Sequence, residues 1–168
     1  MPMSFSRSLK WGLFLFLAFA GTLCARERLS LDGTWSFATD PEARGEADGW
    51  FAPGAKLAAM PLEGYAPEAD GTIQVPGIWD NQGYGTRTDK LEHNFIGLGW
   101  YKRTFRVPAE WSGKRVFLTL GGISRLAKVW INGELTGPDF LGQVASFTRD
   151  VTPFLRFGEE NDITICVD

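Results

Sequence analysis

Cysteine is almost missing from this sequence of 168 residues; there are two, Cys24 and Cys166. Cys24 falls inside an N-terminal stretch that reads as a removable leader, so one thiol remains and no intramolecular disulfide can form. The domain must be held by its core alone. Histidine occurs once, at position 93, which excludes a metal site built from several histidines and cysteines. No serine near it sits in a Gly-x-Ser-x-Gly turn. Gly83-Tyr84-Gly85-Thr86 and Gly97-Leu98-Gly99 lack the third glycine and the strand-to-helix setting of a dinucleotide site, and that reading is discarded. A basic stripe is missing too. With 17 Lys+Arg against 20 Asp+Glu the net charge is −3, a poor match for nucleic acid. There is no internal repeat and no low-complexity tract. The one apolar run, residues 11–20, falls short of the roughly 20 residues needed to span a bilayer.

That run has a different meaning. Arg7 and Lys10 precede it, small residues follow it, and a cut after Ala25 completes the layout of a secretory signal peptide over residues 1–25. An uncleaved anchor is the bland alternative. A lipoprotein reading of Cys24 is opposed by Leu23, which stands where a small residue belongs. The expectation is export, to the periplasm or the medium, with no membrane attachment after cleavage. The two basic residues of the leader leave with it, so the mature balance is 15 against 20, or −5. Residues 26–168 then form one domain, long enough to bury about two-thirds of its unfolded surface.

The rest of the chain reads as strands separated by turn chemistry. Residues 29–37 alternate as Leu29, Leu31, then Trp35, Phe37, with a turn at Asp32-Gly33. From 40 to 71 the composition shifts to Ala, Gly, Pro and acids, the signature of a long surface excursion with a short helical turn near Trp50. A brief strand, Ile73-Gln74-Val75, stops at Pro76. Residues 77–98 form a second long loop. In the strand at 100–107, Tyr101, Phe105 and Val107 share one face and Lys102, Thr104 and Arg106 the other. Val116, Leu118 and Leu120 line the next strand. Asn132-Gly133 predicts a two-residue hairpin, because both residues tolerate positive φ. Thr152-Pro153-Phe154-Leu155-Arg156-Phe157-Gly158 predicts one helical turn, with threonine as N-cap, proline at N1 and glycine past the end. Ile163, Ile165 and Val167 point inward from the last strand. The fold class is all-β, an antiparallel β-sandwich with its long loops gathered at the ends.

Six pieces in this order resemble one family. They are Leu31-Asp32-Gly33-Thr34-Trp35-Ser36-Phe37, Val75-Pro76-Gly77-Ile78-Trp79, Gly99-Trp100-Tyr101-Lys102-Arg103-Thr104-Phe105, Lys128-Val129-Trp130-Ile131-Asn132-Gly133, Asp150-Val151-Thr152-Pro153-Phe154-Leu155 and Asn161-Asp162-Ile163-Thr164-Ile165-Cys166-Val167. Together they are similar to the N-terminal sugar-binding domain of glycoside hydrolase family 2, the group of β-galactosidases, β-glucuronidases and β-mannosidases. The resemblance implies a jelly-roll sandwich. It also implies a parent enzyme in which an immunoglobulin-like domain and a TIM barrel follow, the barrel carrying the acid/base and nucleophile glutamates. The parent activity it implies is retaining hydrolysis of β-glycosides, β-galactosides foremost, without a cofactor. The family's sandwich continues past the position of Asp168 to a final strand, so one strand is expected to be missing here. Leu141-Gly142-Gln143-Val144 departs from the family's Gly-Gly-aromatic run.

The resemblance places the loop with Leu91-Glu92-His93-Asn94-Phe95 on the barrel side, where an asparagine can touch substrate. His93 and Asn94 are therefore the substrate-contact candidates, against the plainer reading of loop hydrogen bonds. No catalytic residue and no metal ligand is assigned. Retaining chemistry needs two carboxyl groups about 5 Å apart, whereas Glu42, Glu46, Asp48, Glu63, Glu68, Asp70, Glu159, Glu160 and Asp162 read as solvated charges. Trp79, Tyr84 and Trp50 could stack on a sugar ring, but core filling or a domain contact is the safer reading. A free-standing carbohydrate-binding module and a sandwich used purely for protein contact remain the alternatives.

Overall fold

The computed structural model describes residues 26–58, 71–85, 95–142 and 145–168. Residues 31–168 form one compact unit, to which everything below refers. No helix among the described residues is long and apolar enough to cross a membrane.

Among the described residues nine strands follow in order: β1 (Gly33–Asp40), β2 (Thr72–Val75), β3 (Leu98–Arg106), β4 (Phe117–Ile123), β5 (Leu126–Ile131), β6 (Glu134–Leu135), β7 (Phe140–Leu141), β8 (Ala145–Asp150) and β9 (Glu160–Val167). The large sheet runs β2-β1-β3-β9-β5-β6, with β7 also on β5; β4 and β8 make a second sheet of two strands. All these ladders are antiparallel. The result is the expected β-sandwich, with the last strand at the centre of its larger sheet.

The inner core comes from the period-two rows. Trp35, Phe37, Ile73, Val129, Ile131, Ile163 and Ile165 pack with Leu118, Leu120 and Phe147 of the facing pair. Asn132 and Gly133 take positive φ, 53° and 83°, so the hairpin has the turn its sequence predicts. Asn132 then ties that turn to the rest. Its Nδ2 donates to Phe154 O and to Asn161 Oδ1, both at 2.8 Å, and its Oδ1 accepts from Asp162 N at 3.0 Å.

Three local expectations need correction. No turn forms at Asp32-Gly33: β1 begins at Gly33 and pairs with β2 and β3. Thr152 is not an N-cap but the first residue of a 3-10 turn, Thr152–Phe154. Its hydroxyl accepts from Val116 N at 2.8 Å, and its own N–H donates to Asp150 Oδ1 at 3.0 Å. The third concerns the outer face. Of the row Lys102, Thr104 and Arg106, Thr104 and Arg106 are exposed but Lys102 is buried, as are Thr164 and Cys166 on the adjacent strand, because the chain after β1 folds back over them. Ala38, Trp50, Trp100, Trp130 and Cys166 form a second core, with Phe51, Leu57 and Leu98 packed against it. The described part of the first excursion is thus an arm on the sheet. It has turns and no helix near Trp50.

Candidate functional site

The arm is fastened by buried charge. Asp40, 1% exposed, ends β1 and accepts from Arg44 N at 2.9 Å, Gly45 N at 2.8 Å and Trp100 Nε1 at 3.0 Å. Gly45 admits no side chain, since a Cβ there would lie 2.6 Å from the Trp100 ring and 2.8 Å from Trp50. Further along, Lys102 Nζ donates to Trp50 O at 3.1 Å and Ala52 O at 2.5 Å, and lies 3.5 Å from Asp162 Oδ1. Burial pulls the lysine below its ordinary pKa, and burial pushes the aspartate above its own, each opposed by the other's charge. Lys102 borders a cleft of about 410 Å³ lined by Ser36, Phe37, Ala55, Lys56, Leu57 and Gly71. Its three N–H donors already have acceptors, so it anchors the arm and has none left for a ligand.

The other feature is the end of the sandwich where β1 and β9 finish and β3 begins. Trp79 lies over Gly99, where a Cβ would sit 2.6 Å from the indole. Its ring centroid is 6.0 Å from those of Phe37 and Phe95. The turn Asp80–Gln82 follows. Gln82 Oε1 accepts from Gln74 N at 2.7 Å, and its Nε2 donates to Gln74 O at 3.0 Å, which locks the turn to β2. Asp80 Oδ1 accepts from Phe95 N at 3.2 Å. The residue next to Asn94 is therefore pinned to this turn by a carboxylate and an aromatic contact.

His93 and Asn94 themselves lie outside the described residues. Trp50, 4% exposed, belongs to the outer core. Tyr84, 3% exposed, donates its hydroxyl to Thr72 O at 2.6 Å and meets Phe37 edge-on at 4.4 Å. Neither presents a face to a sugar. Trp79 is half-buried. Sequence reasoning overlooked Asp80, whose signal was an acid directly after Trp79 in turn-forming Asn81-Gln82-Gly83. It also overlooked Asp40 and the buried Lys102, for neither of which the local sequence carries a clear signal. Among the described residues no three of His, Cys, Asp and Glu gather as metal ligands. Burial pushes the Cys166 thiol up to about 12, which leaves it neither a nucleophile nor a ligand at neutral pH.

Residues 29–168 match the family described as Glycosyl hydrolases family 2, sugar binding domain. A β-glucuronidase of Paenibacillus borealis is 32% identical over 143 residues, which are 85% of this chain and 21% of that protein. A β-galactosidase of Priestia megaterium is 30% identical over 158 residues, 83% of this chain and 14% of that one. Among solved structures, the β-glucuronidase from Ruminococcus gnavus in complex with D-glucaro-d-lactam superposes with a TM-score of 0.66 at 28% identity, over 83% of this chain and 21% of that chain. The chain spans about a fifth or less of the length of these relatives.

Proposed function

The chain belongs to the sugar-binding domain family of the glycosyl hydrolases family 2, and from that premise we propose that it is the non-catalytic front part of an exported retaining β-glycosidase. In this reading the sandwich orients the sugar end of the substrate and scaffolds a catalytic barrel, while the two carboxyl groups that do the chemistry come from outside residues 26–168. The observation that carries it is the family match over nearly the whole mature chain. The same reading gives His93 and Asn94, just before Phe95 in sequence, a contact with the sugar. Although the family resemblance put β-galactosides first, relatives named β-glucuronidase outnumber those named β-galactosidase. That favours a β-glucuronide, with a β-galactoside second.

Residues 1–25 act as the export signal, and secreted protein is expected to begin at Arg26 on N-terminal sequencing. The sandwich is completed by one further strand after Asp168. Assay of this chain on aryl β-glucuronides and β-galactosides should show no turnover, whereas the longer polypeptide from the same reading frame should hydrolyse one of them. Turnover by the short chain that vanishes on mutation of one of its own acids would sink the proposal. Micromolar binding of a monosaccharide by the short chain would favour a free-standing binding module, since half the pocket wall is here assigned to another domain.

A further inference from the structure

Asn132-Gly133 is the one Asn-Gly pair in the sequence. The pair is chemically labile, because a glycine after asparagine leaves its backbone nitrogen unshielded. The fold cannot do without either residue. Gly133 holds φ 83°, and a Cβ on it would fall 2.8 Å from Pro53 Cδ of the arm. Asn132 holds φ 53°, a left-handed geometry that few side chains tolerate. Its backbone N donates to Asp162 O at 2.8 Å. Its amide makes three more bonds: Nδ2 donates to Phe154 O and Asn161 Oδ1, both at 2.8 Å, and Oδ1 accepts from Asp162 N at 3.0 Å. Those bonds hold Cγ in place. Closing a ring onto Gly133 N would break all three and turn the Cα–C bond of Asn132 out of the hairpin.

An acid cannot substitute here. Asn161, 1% exposed, is itself fixed: its Oδ1 accepts from Arg156 N at 2.8 Å, and its Nδ2 donates to Arg156 O at 2.9 Å and Glu159 O at 3.1 Å. It cannot flip to offer a donor without losing those bonds. A carboxylate at position 132 would therefore set an oxygen against two acceptors, Phe154 O and Asn161 Oδ1.

We propose that Asn132-Gly133 is a self-modification site, closed by folding and opened by unfolding, whose product cannot rebuild this hairpin. In the unfolded chain Gly133 N attacks Asn132 Cγ. The new C–N bond closes a five-membered imide, the Cγ–Nδ2 bond breaks, and ammonia leaves with the proton from Gly133 N. Water then opens the imide at one carbonyl or the other, giving aspartate or isoaspartate. Aspartate lacks the amide's N–H donors. Isoaspartate adds a backbone carbon to a turn whose register, Trp130 on Leu135 and Ile131 on Glu134, has no room for it. Time spent unfolded is thus recorded covalently, independently of what the longer enzyme hydrolyses.

Incubating the 168-residue chain in mildly alkaline buffer, with and without urea, tests this. The tryptic peptide Val129–Arg149, in which Asn132 is the only asparagine, is then analysed by mass spectrometry and assayed for isoaspartate. Conversion should be at least about tenfold slower without urea, since attack on a transiently opened form follows its population. Asn132→Gly should abolish the fast phase of ammonia release in urea. Chain fully converted in urea and returned to buffer should not recover the parent melting temperature, whereas chain cycled briefly should. Equal conversion rates with and without urea overturn the closure. Peptides carrying Asn81 or Asn161 that convert as fast as this one in urea overturn the site. A converted chain that melts with the parent overturns the one-way step.

Discussion

Cys166 shows how much one position depends on its surroundings. In sequence it is a lone thiol on a strand; in the fold it is 4% exposed beneath the arm, between Trp100 and Lys128 in the ladders. Burial lifts its pKa from 9.0 to about 12. Between those values the unfolded chain has released a proton that the folded chain keeps. Stability should therefore fall as pH rises from about 9, by at most about 1.4 kcal/mol per pH unit. Denaturant titrations at pH 8 and pH 10 measure this, and Cys166→Ser should flatten the decline. A thiol reagent that modifies the native protein at pH 8 as fast as the unfolded one would contradict the burial. Asn132 is the second such residue. Its amide joins the hairpin to Phe154 O, Asn161 and Asp162 while its backbone holds φ 53°. Asn132→Ala should cost about 2–3 kcal/mol, since it strands several buried polar partners and places alanine in the left-handed region. Asn132→Gly restores only the backbone part, so a glycine variant as stable as the parent would show that the amide network contributes nothing.

The arm is the element that sequence reasoning misjudged. Strand rows were legible because alternation reports burial, and the inner core carries Trp35, Phe37, Ile163 and Ile165 as expected. Asn132-Gly133 was legible because its turn demands positive φ at both residues. The arm was not, because a segment rich in Ala, Gly and Pro carries no period, and nothing local says that Trp50 will lie edge-on to Trp100 with ring centroids 5.7 Å apart. The same gap hid the role of Lys102, which read as one member of a solvent-facing row. The candidate site was legible only as a location. The turn after Gly77 could be found from its Pro-Gly-Ile-Trp-Asp run, while the pinning of Phe95 to Asp80 spans 15 residues and has no local signature. A testable consequence belongs to the arm. Asp162→Leu alone leaves a buried ammonium beside two carbonyls and should destabilise by about 3–5 kcal/mol. Lys102→Met combined with Asp162→Leu removes both charges and should recover most of that loss. Chemical denaturation of the two variants decides it: a double variant as unstable as the single would mean that shape, not charge, fixes the arm.

At the scale of the molecule the two sheets are unequal, and the inequality has an energetic consequence. β8 sits over the β5–β7 side, where Phe147 meets Phe140 at 5.3 Å and a Cβ on Gly142 would fall 2.4 Å from its ring. The other edge of the pair, β4, has no strand beside it among the described residues. Past that edge Leu31, Val75, Tyr101 and Phe105 remain only partly buried on the large sheet's inner side. Val116 bonds toward the β8 side, with its carbonyl on Val151 N at 2.9 Å, so the two-residue period turns the backbone groups of Phe117 and Thr119 outward. Such an edge is a template for another strand, and the wet apolar area beside it forgoes about 25 cal/mol per Å². A strand following Asp168 that pairs with β4 would close both gaps. The 168-residue chain should therefore be only marginally stable and should self-associate as its concentration rises, and a polypeptide lengthened by that strand should melt higher and stay monomeric. Thr119→Pro, which places a ring on the exposed edge, should suppress association of the short chain and block the gain from the added strand. Light scattering and melting curves of the two lengths are the measurement. A short chain that is monomeric and melts as high as the longer one would mean that two strands already complete this sandwich.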